Sequence, residues 1–403
     1  MKFADFILAH DGDDLGCLAL SRSRFAEVSD FDLALTTLEV RRKLRDKVPE
    51  WYAVPSLRYP LRVSGEQCSS AATARYKASV ARGKRIADLT GGLGVDSWAF
   101  AQVFDEVLYN EMRPELADAA EANFRELGLT NVLVRNSELV PGSLAEVLNG
   151  FRPDVLFLDP ARRAADGRKV FRLEDCQPDV LQLLPELLES CPKVLLKLSP
   201  MADITLVCKQ LGCVKEVHVV AADGECKELL LLLEKDWSGP HTVTIVEDTA
   251  VMKIPGQARD EVGETNPLIP ASEPESQGVL SSVAGFLFEP GKAMLKAGAF
   301  GLPSRYGLTK LGQHTHLYTG AEIPAALKPF GKCFRILESA PLDKRGIKSI
   351  GQKYPKADVT SRNIPLTSDQ LRKKLGVADG GLVHIFGVHI DSLNDNYLLA
   401  CLK

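Results

Sequence analysis

The sequence predicts an α/β protein built on a mostly parallel sheet with helices on both faces, and three observations carry that prediction. Between Lys84 and about Trp237, short apolar runs alternate with helical patterns: RIADL, EVLYNE, NVLVRN, DVLFLD, KVLLKLS, EVHVVA and ELLLLLE. Runs that are apolar on both faces and spaced by helices belong to strands covered from both sides, which is the pattern of parallel sheet. The first run opens into DLTGGLG, an acid followed by glycines where a strand turns into a helix. The second run closes on Glu111, nineteen residues after Gly92. The last two runs are joined by AADGECK, a hairpin-like link that predicts an antiparallel edge strand.

Residues 1–80 read as a helical region. Leu35, Leu38, Val40 and Leu44 recur among charges at helical spacing, and Pro49 marks an end. A second helix is expected over SSAATARYKASVARG, with Ser69 or Ser70 as cap and Gly83 as the stop. Arg41, Arg42, Lys43 and Arg45 are expected on a solvated face. Residues 81–238 hold the alternating strands and helices. From 239 to 326, VTIVED and GFLFEP read as strands, EVGETNPLIPASEPESQG as an exposed loop and AMLKAGAFGLPSRYG as helical, giving a small α+β domain. Residues 327–403 form a second one, with strands at FRILE, ADVTSR, LVHIFGVHI and NYLLACLK and helices at DKRGIKSIGQKY and TSDQLRKKLG, the latter capped by Thr367.

The chain has 403 residues, 45% hydrophobic and 25% charged, with a formal net charge of −4. That composition belongs to an ordinary globular protein of more than one domain. The charge is uneven. Lys328 to Lys374 carries twelve Lys or Arg against four acids, a surplus suited to a polyanion or simply to a solvated face. Nine cysteines are scattered without a CxxC pair, which predicts free thiols, a reducing cytoplasm and no structural metal. The N-terminal stretch lacks the basic flank and apolar run of a signal peptide, and no apolar run approaches the roughly 18 residues of a membrane span. No membrane partner is expected.

The chemistry concentrates at strand ends. In DLTGGLG, the glycines let backbone approach a ligand closely, and Asp88, Thr90, Gly91, Gly92 and Gly94 are the candidate cofactor contacts. Glu111, at the tip of the next strand, is placed to take both ribose hydroxyls of a nucleoside cofactor. That geometry serves NAD as well; DPARR at 159–163, at the end of the fourth strand, turns the balance toward a methyl donor. Asp159 and the Pro160 carbonyl can accept hydrogen bonds from an acceptor amine, and Arg162 offers a guanidinium that stacks on bases or holds phosphate. The third strand ends in Asn136, Ser137 and Glu138, any of which can meet an adenine. Lys197 and Ser199 end a further strand near the same pocket, Lys197 either lining it or paired on the surface. Tyr76 and Lys77 either line the cofactor mouth or pack a helix on the sheet. His314 and His316 alternate along an expected strand and, without a third ligand, favour cross-strand packing over a metal.

DLTGGLG, the Glu111 strand and DPARR resemble motifs I, post-I and IV of class I S-adenosylmethionine-dependent methyltransferases, and the Asp-Pro element resembles that of enzymes methylating guanine nitrogens in RNA. Together with EQCSSAATARYKA, KLSP, GFLFEPGKAMLKAGAF, THLYTG and SRNIPLTSDQLRKKLGVADGG, they resemble the bacterial methyltransferase family with a C-terminal THUMP-like domain, over most of the chain from Gln67 onward. The resemblance implies a Rossmann-like class I core after the helical region, then ferredoxin-like and THUMP-like domains. It further implies S-adenosyl-L-methionine as cofactor, tRNA or rRNA as partner, a base nitrogen as target, and Arg163, Lys197, Arg362 and Lys373 as RNA contacts. One departure stands out: Ala161 and Arg162 follow Asp-Pro where many amino-methylating enzymes carry Pro and an aromatic. A methyltransferase for a small molecule or protein, and an RNA-binding protein that only retains the cofactor fold, are the competing readings.

Overall fold

The computed structural model describes residues 2–162, 173–255 and 285–403. The chain divides into two compact units, one of residues 1–217 with 228–241, the other of residues 218–227 with 242–403.

The first unit opens with helices α1 (Phe3–Ala9), α2 (Leu15–Leu20), α3 (Phe31–Lys47), α4 (Pro49–Tyr52), α5 (Arg62–Gln67) and α6 (Ala71–Val80). Asp14 and Asp30 cap α2 and α3 by accepting the amides of Cys17 and Leu33. Phe6, Ile7, Leu18, Val28, Phe31, Ala34 and Leu38 close one apolar cluster among these helices. Pro49 ends α3 and starts α4, as its fixed φ allows. Ser70 is the cap of α6, whose last residue lies before Ala81 rather than at Gly83. The expected basic face of α3 is only partly solvated. Arg41 is 4% exposed, and Arg42 donates to the carbonyls of His10, Asp11 and Asp13, holding the turn after α1. Those carbonyls had no helical partner, and a guanidinium satisfies several at once.

The sheet follows, with β1 (Arg85–Asp88), α7 (Val95–Phe100), β2 (Glu106–Asn110), α8 (Pro114–Glu126), β3 (Val132–Arg135), α9 (Leu144–Leu148), β4 (Val155–Leu158), the short ribbon β5 (Ala161–Arg162) and β6 (Cys176–Gln177), α10 (Val180–Ser190), β7 (Lys193–Leu198), α11 (Ile204–Leu211), β8 (Val214–Ala222) and β9 (Glu225–Glu234). Strand order is β3-β2-β1-β4-β7-β9-β8. The pairs β1–β2, β2–β3, β1–β4 and β4–β7 are parallel. The chain's direction of growth reverses between β1 and β4, and such a switch point opens a crevice at the carboxyl ends of the strands. The antiparallel strand expected at an edge is instead internal: β9 inserts between β7 and β8, with Lys193 opposite Glu234 and Leu198 opposite Leu229. Leu229, Leu230, Leu231 and Leu233 are all at most 1% exposed, and a run apolar on both faces needs neighbours on both sides.

The second unit contains the tip of the β8–β9 hairpin with β10 (Thr242–Glu247) and β11 (Ala250–Pro255), then β12 (Phe286–Pro290), α12 (Lys292–Lys296), α13 (Leu302–Arg305), β13 (Thr309–Lys310), β14 (Tyr318–Gly320), β15 (Gly331–Pro341), α14 (Lys344–Lys353), β16 (Lys356–Arg362), α15 (Ser368–Leu375), β17 (Ala378–Ile390) and β18 (Asp395–Leu402). The helix expected over AMLKAGAFGLPSRYG is broken into α12 and α13, with Gly298 between them at φ +68°. Strands from the two expected small domains share one seven-stranded sheet, β13-β14-β12-β15-β18-β17-β16, because β15 pairs with β12 on one side and β18 on the other. Alternation along β17 and β18 sorts its two faces. Phe386, Val388, Leu399 and Cys401 build one cluster, while Ile385, Leu398 and Ala400 join Ile350, Leu371 and Leu375 of α14 and α15 in another. Thr367 and Gln370 form a reciprocal capping box at α15. The expected exposed loop over EVGETNPLIPASEPESQG lies outside the described residues. Among the described residues no helix is long and apolar enough to cross a membrane.

Candidate active site at the strand ends

β1 delivers Asp88 to the glycine loop, and the loop is locked by its neighbours. Gly91 donates its amide to the Asn110 carbonyl at 2.8 Å, and a Cβ on Gly91 would stand 2.2 Å from the Tyr109 ring. Gly94 adopts φ +92°, and a Cβ there would meet Phe124 at 2.8 Å, so neither position tolerates a side chain. Tyr109 closes the contact by donating its hydroxyl to the Gly92 carbonyl at 2.7 Å.

Glu111 sits beside this loop at the tip of β2. Its Oε2 accepts the Gly92 amide and its Oε1 the Arg113 amide, both at 2.9 Å. Each oxygen retains a further lone-pair direction, so the fixed carboxylate can still accept two hydroxyls. Asn136 donates its side-chain amide to the Glu111 carbonyl at 2.7 Å, and the Ser137 carbonyl accepts from Asn110 Nδ2 at 3.0 Å. These bonds tie the tips of β2 and β3 together, with Asn136 and Ser137 acting on the backbone around Glu111. Asn110 Oδ1 is buried with no partner among the described residues.

Across the switch point, Asp159 follows β4. Its amide donates to Thr90 Oγ1 at 2.6 Å, which fastens the Asp-Pro segment to the glycine loop. Lys197, at the end of the adjacent parallel strand β7, donates a short hydrogen bond to Asp159 Oδ2. The Asp159 side chain is 32% exposed and that of Lys197 14%, so the pair reaches the surface of the crevice. Lys197 is thus engaged by a carboxylate and is not a free phosphate contact. Burial pulls its ammonium down, but Asp159, Glu228 and Asp96 outweigh that and hold it above the ordinary lysine value.

Behind the pair lies a network that the sequence did not reveal. Lys77 of α6 is fully buried and donates to Ser69 Oγ at 2.7 Å and to Glu228 at 2.9 and 3.2 Å, with Asp96 Oδ1 at 3.0 Å. Of the two roles open to Lys77, packing on the sheet is the one observed. Glu228 begins the buried part of β9 and is 3% exposed. Burial raises its carboxyl, while Lys77 and Lys197 pull it down. The available signal was a lone acid at the head of an all-leucine run, since a charge on a buried strand needs a partner.

Asp88 itself faces inward. It is 1% exposed and accepts the Thr90 amide at 3.1 Å and the Ser97 hydroxyl at 2.7 Å. Burial pushes its carboxyl up to about 8, against the lowering effect of those two bonds, and Asp96 and Asp159 add to the rise. Between the unfolded value near 4 and this folded value, the native state holds the extra proton, so stability falls as pH rises through that window. Asp88→Asn is expected to flatten the fall. In melting curves from pH 5 to 8.5, the variant should gain on the wild type with rising pH, by on the order of a few kcal/mol.

Of the remaining expected contacts, Arg162 lies in β5, while Arg163 lies outside the described residues. Pro160 is buried. In the second unit Arg362 is bound to Glu289 at 2.5 Å, and Lys373 is exposed on α15. A groove of about 680 Å³ runs between α14 and α15, with Lys344, Lys348 and Lys374 among its lining. His314 lies in a turn and His316 just after it, neither in a strand; His316 has φ +51° and stacks on Phe300 at 4.1 Å. Among the described residues no group of three or more His, Cys, Asp or Glu is placed to hold a metal.

Comparison with known proteins agrees with this architecture. A ferredoxin-like domain family matches residues 286–326, and a THUMP domain-like family matches residues 331–401. A crystal structure of a candidate methyltransferase from Porphyromonas gingivalis W83 is 30% identical and covers 100% of this chain and 97% of its own, with a TM-score of 0.83. Uncharacterized S-adenosylmethionine-dependent methyltransferases of Mycobacterium tuberculosis, strains CDC 1551 / Oshkosh and ATCC 25618 / H37Rv, are 25% identical over 313 residues, 77% of this chain and 78% of theirs. With a methyltransferase fold matched end to end and these two C-terminal domains in order, the chain belongs to the class I S-adenosylmethionine-dependent methyltransferases that carry a C-terminal THUMP-like domain.

Proposed function

We propose that this protein transfers a methyl group from S-adenosylmethionine to RNA, either tRNA or rRNA. The observation that carries the reading is the pairing of Glu111 with the glycine loop on one side of the switch point and Asp159 on the other, bridged by Thr90. The residues fit the cofactor: a loop in which a Cβ on Gly91 or Gly94 would collide with its neighbours, and a rigid carboxylate with further lone pairs. When bound, the sulfonium supplies an electrophilic methyl group. The chain's own task is to orient the acceptor in line with it and exclude water. Glu111 would hold the ribose hydroxyls, the glycine loop would let backbone stand close to the cofactor, and Asn136 and Ser137 fix the backbone around Glu111. Asp159 faces the acceptor.

RNA as acceptor is supported by the THUMP-like match and by the basic surplus from Lys328 to Lys374, with the lysine-lined groove between α14 and α15 as the candidate phosphate contact. Arg163 remains a candidate contact from the sequence. On the Asp-Pro motif alone the target is a base nitrogen held by Asp159 and the Pro160 carbonyl; the Lys197 ammonium alters what that carboxylate offers.

Total RNA from a strain lacking the gene, incubated with the protein and tritiated methyl donor, should become labelled. RNA affinity should fall steeply with salt. Labelling of protein or small metabolites in place of RNA would refute the assignment. Glu111→Ala is expected to weaken cofactor binding by about 2 to 4 kcal/mol, read by calorimetry, through loss of charge-assisted bonds. Unchanged affinity would remove Glu111 from the ribose site.

A further inference from the structure

We propose that the methyl acceptor is a hydroxyl group, the ribose 2′-hydroxyl of the RNA, and that Lys197 is the residue that selects it. The inference rests on the RNA reading for the identity of the hydroxyl, and on the chemistry of the Asp159–Lys197 pair for the choice of oxygen over nitrogen.

The two groups that meet the acceptor have opposite hydrogen-bonding character. Asp159 accepts, its Oδ2 taking the Lys197 ammonium. Lys197 only donates, and among the described residues its ammonium spends one N–H on Asp159 Oδ2. An exocyclic base amine is a donor whose lone pair is delocalised into the ring, so it can satisfy the carboxylate but not the ammonium. Methylation also moves positive charge onto that nitrogen, which an adjacent ammonium opposes. A hydroxyl complements both partners at once. It donates its proton to the carboxylate and accepts from the ammonium, and its oxygen gains negative charge as that proton leaves, which the ammonium stabilises.

The buried network supplies what this division of labour requires. On the β7–β9 ladder Lys197 is opposite Leu230, two residues from Glu228, so both side chains leave the same face of the sheet as diagonal neighbours. Glu228 and Asp96 act on the Lys197 ammonium together with Asp159. When Asp159 takes up a proton, those two carboxylates still balance the ammonium, and Lys77 anchors both of them. In the transfer, the acceptor O–H bond breaks and its proton passes to Asp159. The freed pair forms the new O–CH3 bond, while the methyl–sulfur bond breaks and its pair stays on sulfur as a neutral sulfide. Asp159, on the open side of the crevice, then returns the proton to water.

The test locates the label. RNA methylated by the full chain with tritiated donor is hydrolysed in alkali, which cleaves through a free 2′-hydroxyl. Label is expected in alkali-resistant dinucleotides, with the added mass on ribose in nucleoside mass spectrometry. Label on a base, in ordinary mononucleotides, overturns the inference and leaves the RNA reading intact; no label in RNA overturns both. Lys197→Met is expected to lower kcat by about 100-fold or more with cofactor affinity unchanged, and Lys197→Arg, which keeps the charge, to retain part of it. An undiminished or faster Lys197→Met enzyme would overturn the role of Lys197.

Discussion

Asp159→Ala is expected to leave cofactor binding within about twofold of wild type and to reduce methyl transfer by roughly 10²- to 10⁴-fold, the span of a lost proton acceptor in the transition state. Cofactor affinity should survive because Asp159 reaches the glycine loop through its backbone: the bond to Thr90 Oγ1 comes from its amide and remains in the alanine variant. What disappears is the carboxylate facing the acceptor and the counter-ion of Lys197. Single-turnover transfer, with cofactor binding measured separately, checks both halves. Turnover near the wild-type rate would remove Asp159 from the chemistry.

Lys77→Met should be the most damaging substitution to the fold. The ammonium is wholly buried and is the hydrogen-bonded cation of Glu228, itself 3% exposed, with Asp96 beside it. Removing one partner of a buried ionic network leaves uncompensated charge and costs about 3 to 5 kcal/mol. The loss should depend on pH in a definite direction. Burial already raises the Glu228 carboxyl and Lys77 opposes that rise, so without Lys77 it rises further. Glu228 then folds as the neutral acid at low pH, and the deficit shrinks at pH 5 relative to pH 8. Adding Glu228→Gln should recover part of the loss at pH 8. Denaturant melts of the single and double variants decide this; additive effects of the two substitutions would mean that the two groups are not coupled.

Much of the candidate site could be read along the chain because it is local. Gly91, Gly92 and Glu111 lie within one βα unit and the next strand, so a spacing of nineteen residues carries the geometry, and the collisions around Gly91 and Gly94 explain the glycines. Thr367 was legible for the same reason, its partner Gln370 being three residues away. Reading failed where the partner is distant. Arg41 and Arg42 looked like a solvated face because nothing in α3 marks the turn after α1 as their target. The antiparallel strand was expected at an edge because a hairpin link fixes only one of its two neighbours. The terminal modules were separable in the chain yet share a sheet, since the β12–β15 ladder joins segments on either side of that boundary.

By itself, the sequence determined the strand-loop-helix units and the chemistry each carries at its tip, because those depend on residues within a few turns of one another. The tertiary structure alone decided what stands beside Asp159. Lys197 lies 38 residues on, and Glu228 is 151 residues from Lys77; only the order of the strands in the sheet brings them together. A carboxylate's reach is set by its own position, but whether it acts alone or against an ammonium is set by its neighbour. That neighbour is the ground on which a hydroxyl is proposed as acceptor in place of an amine.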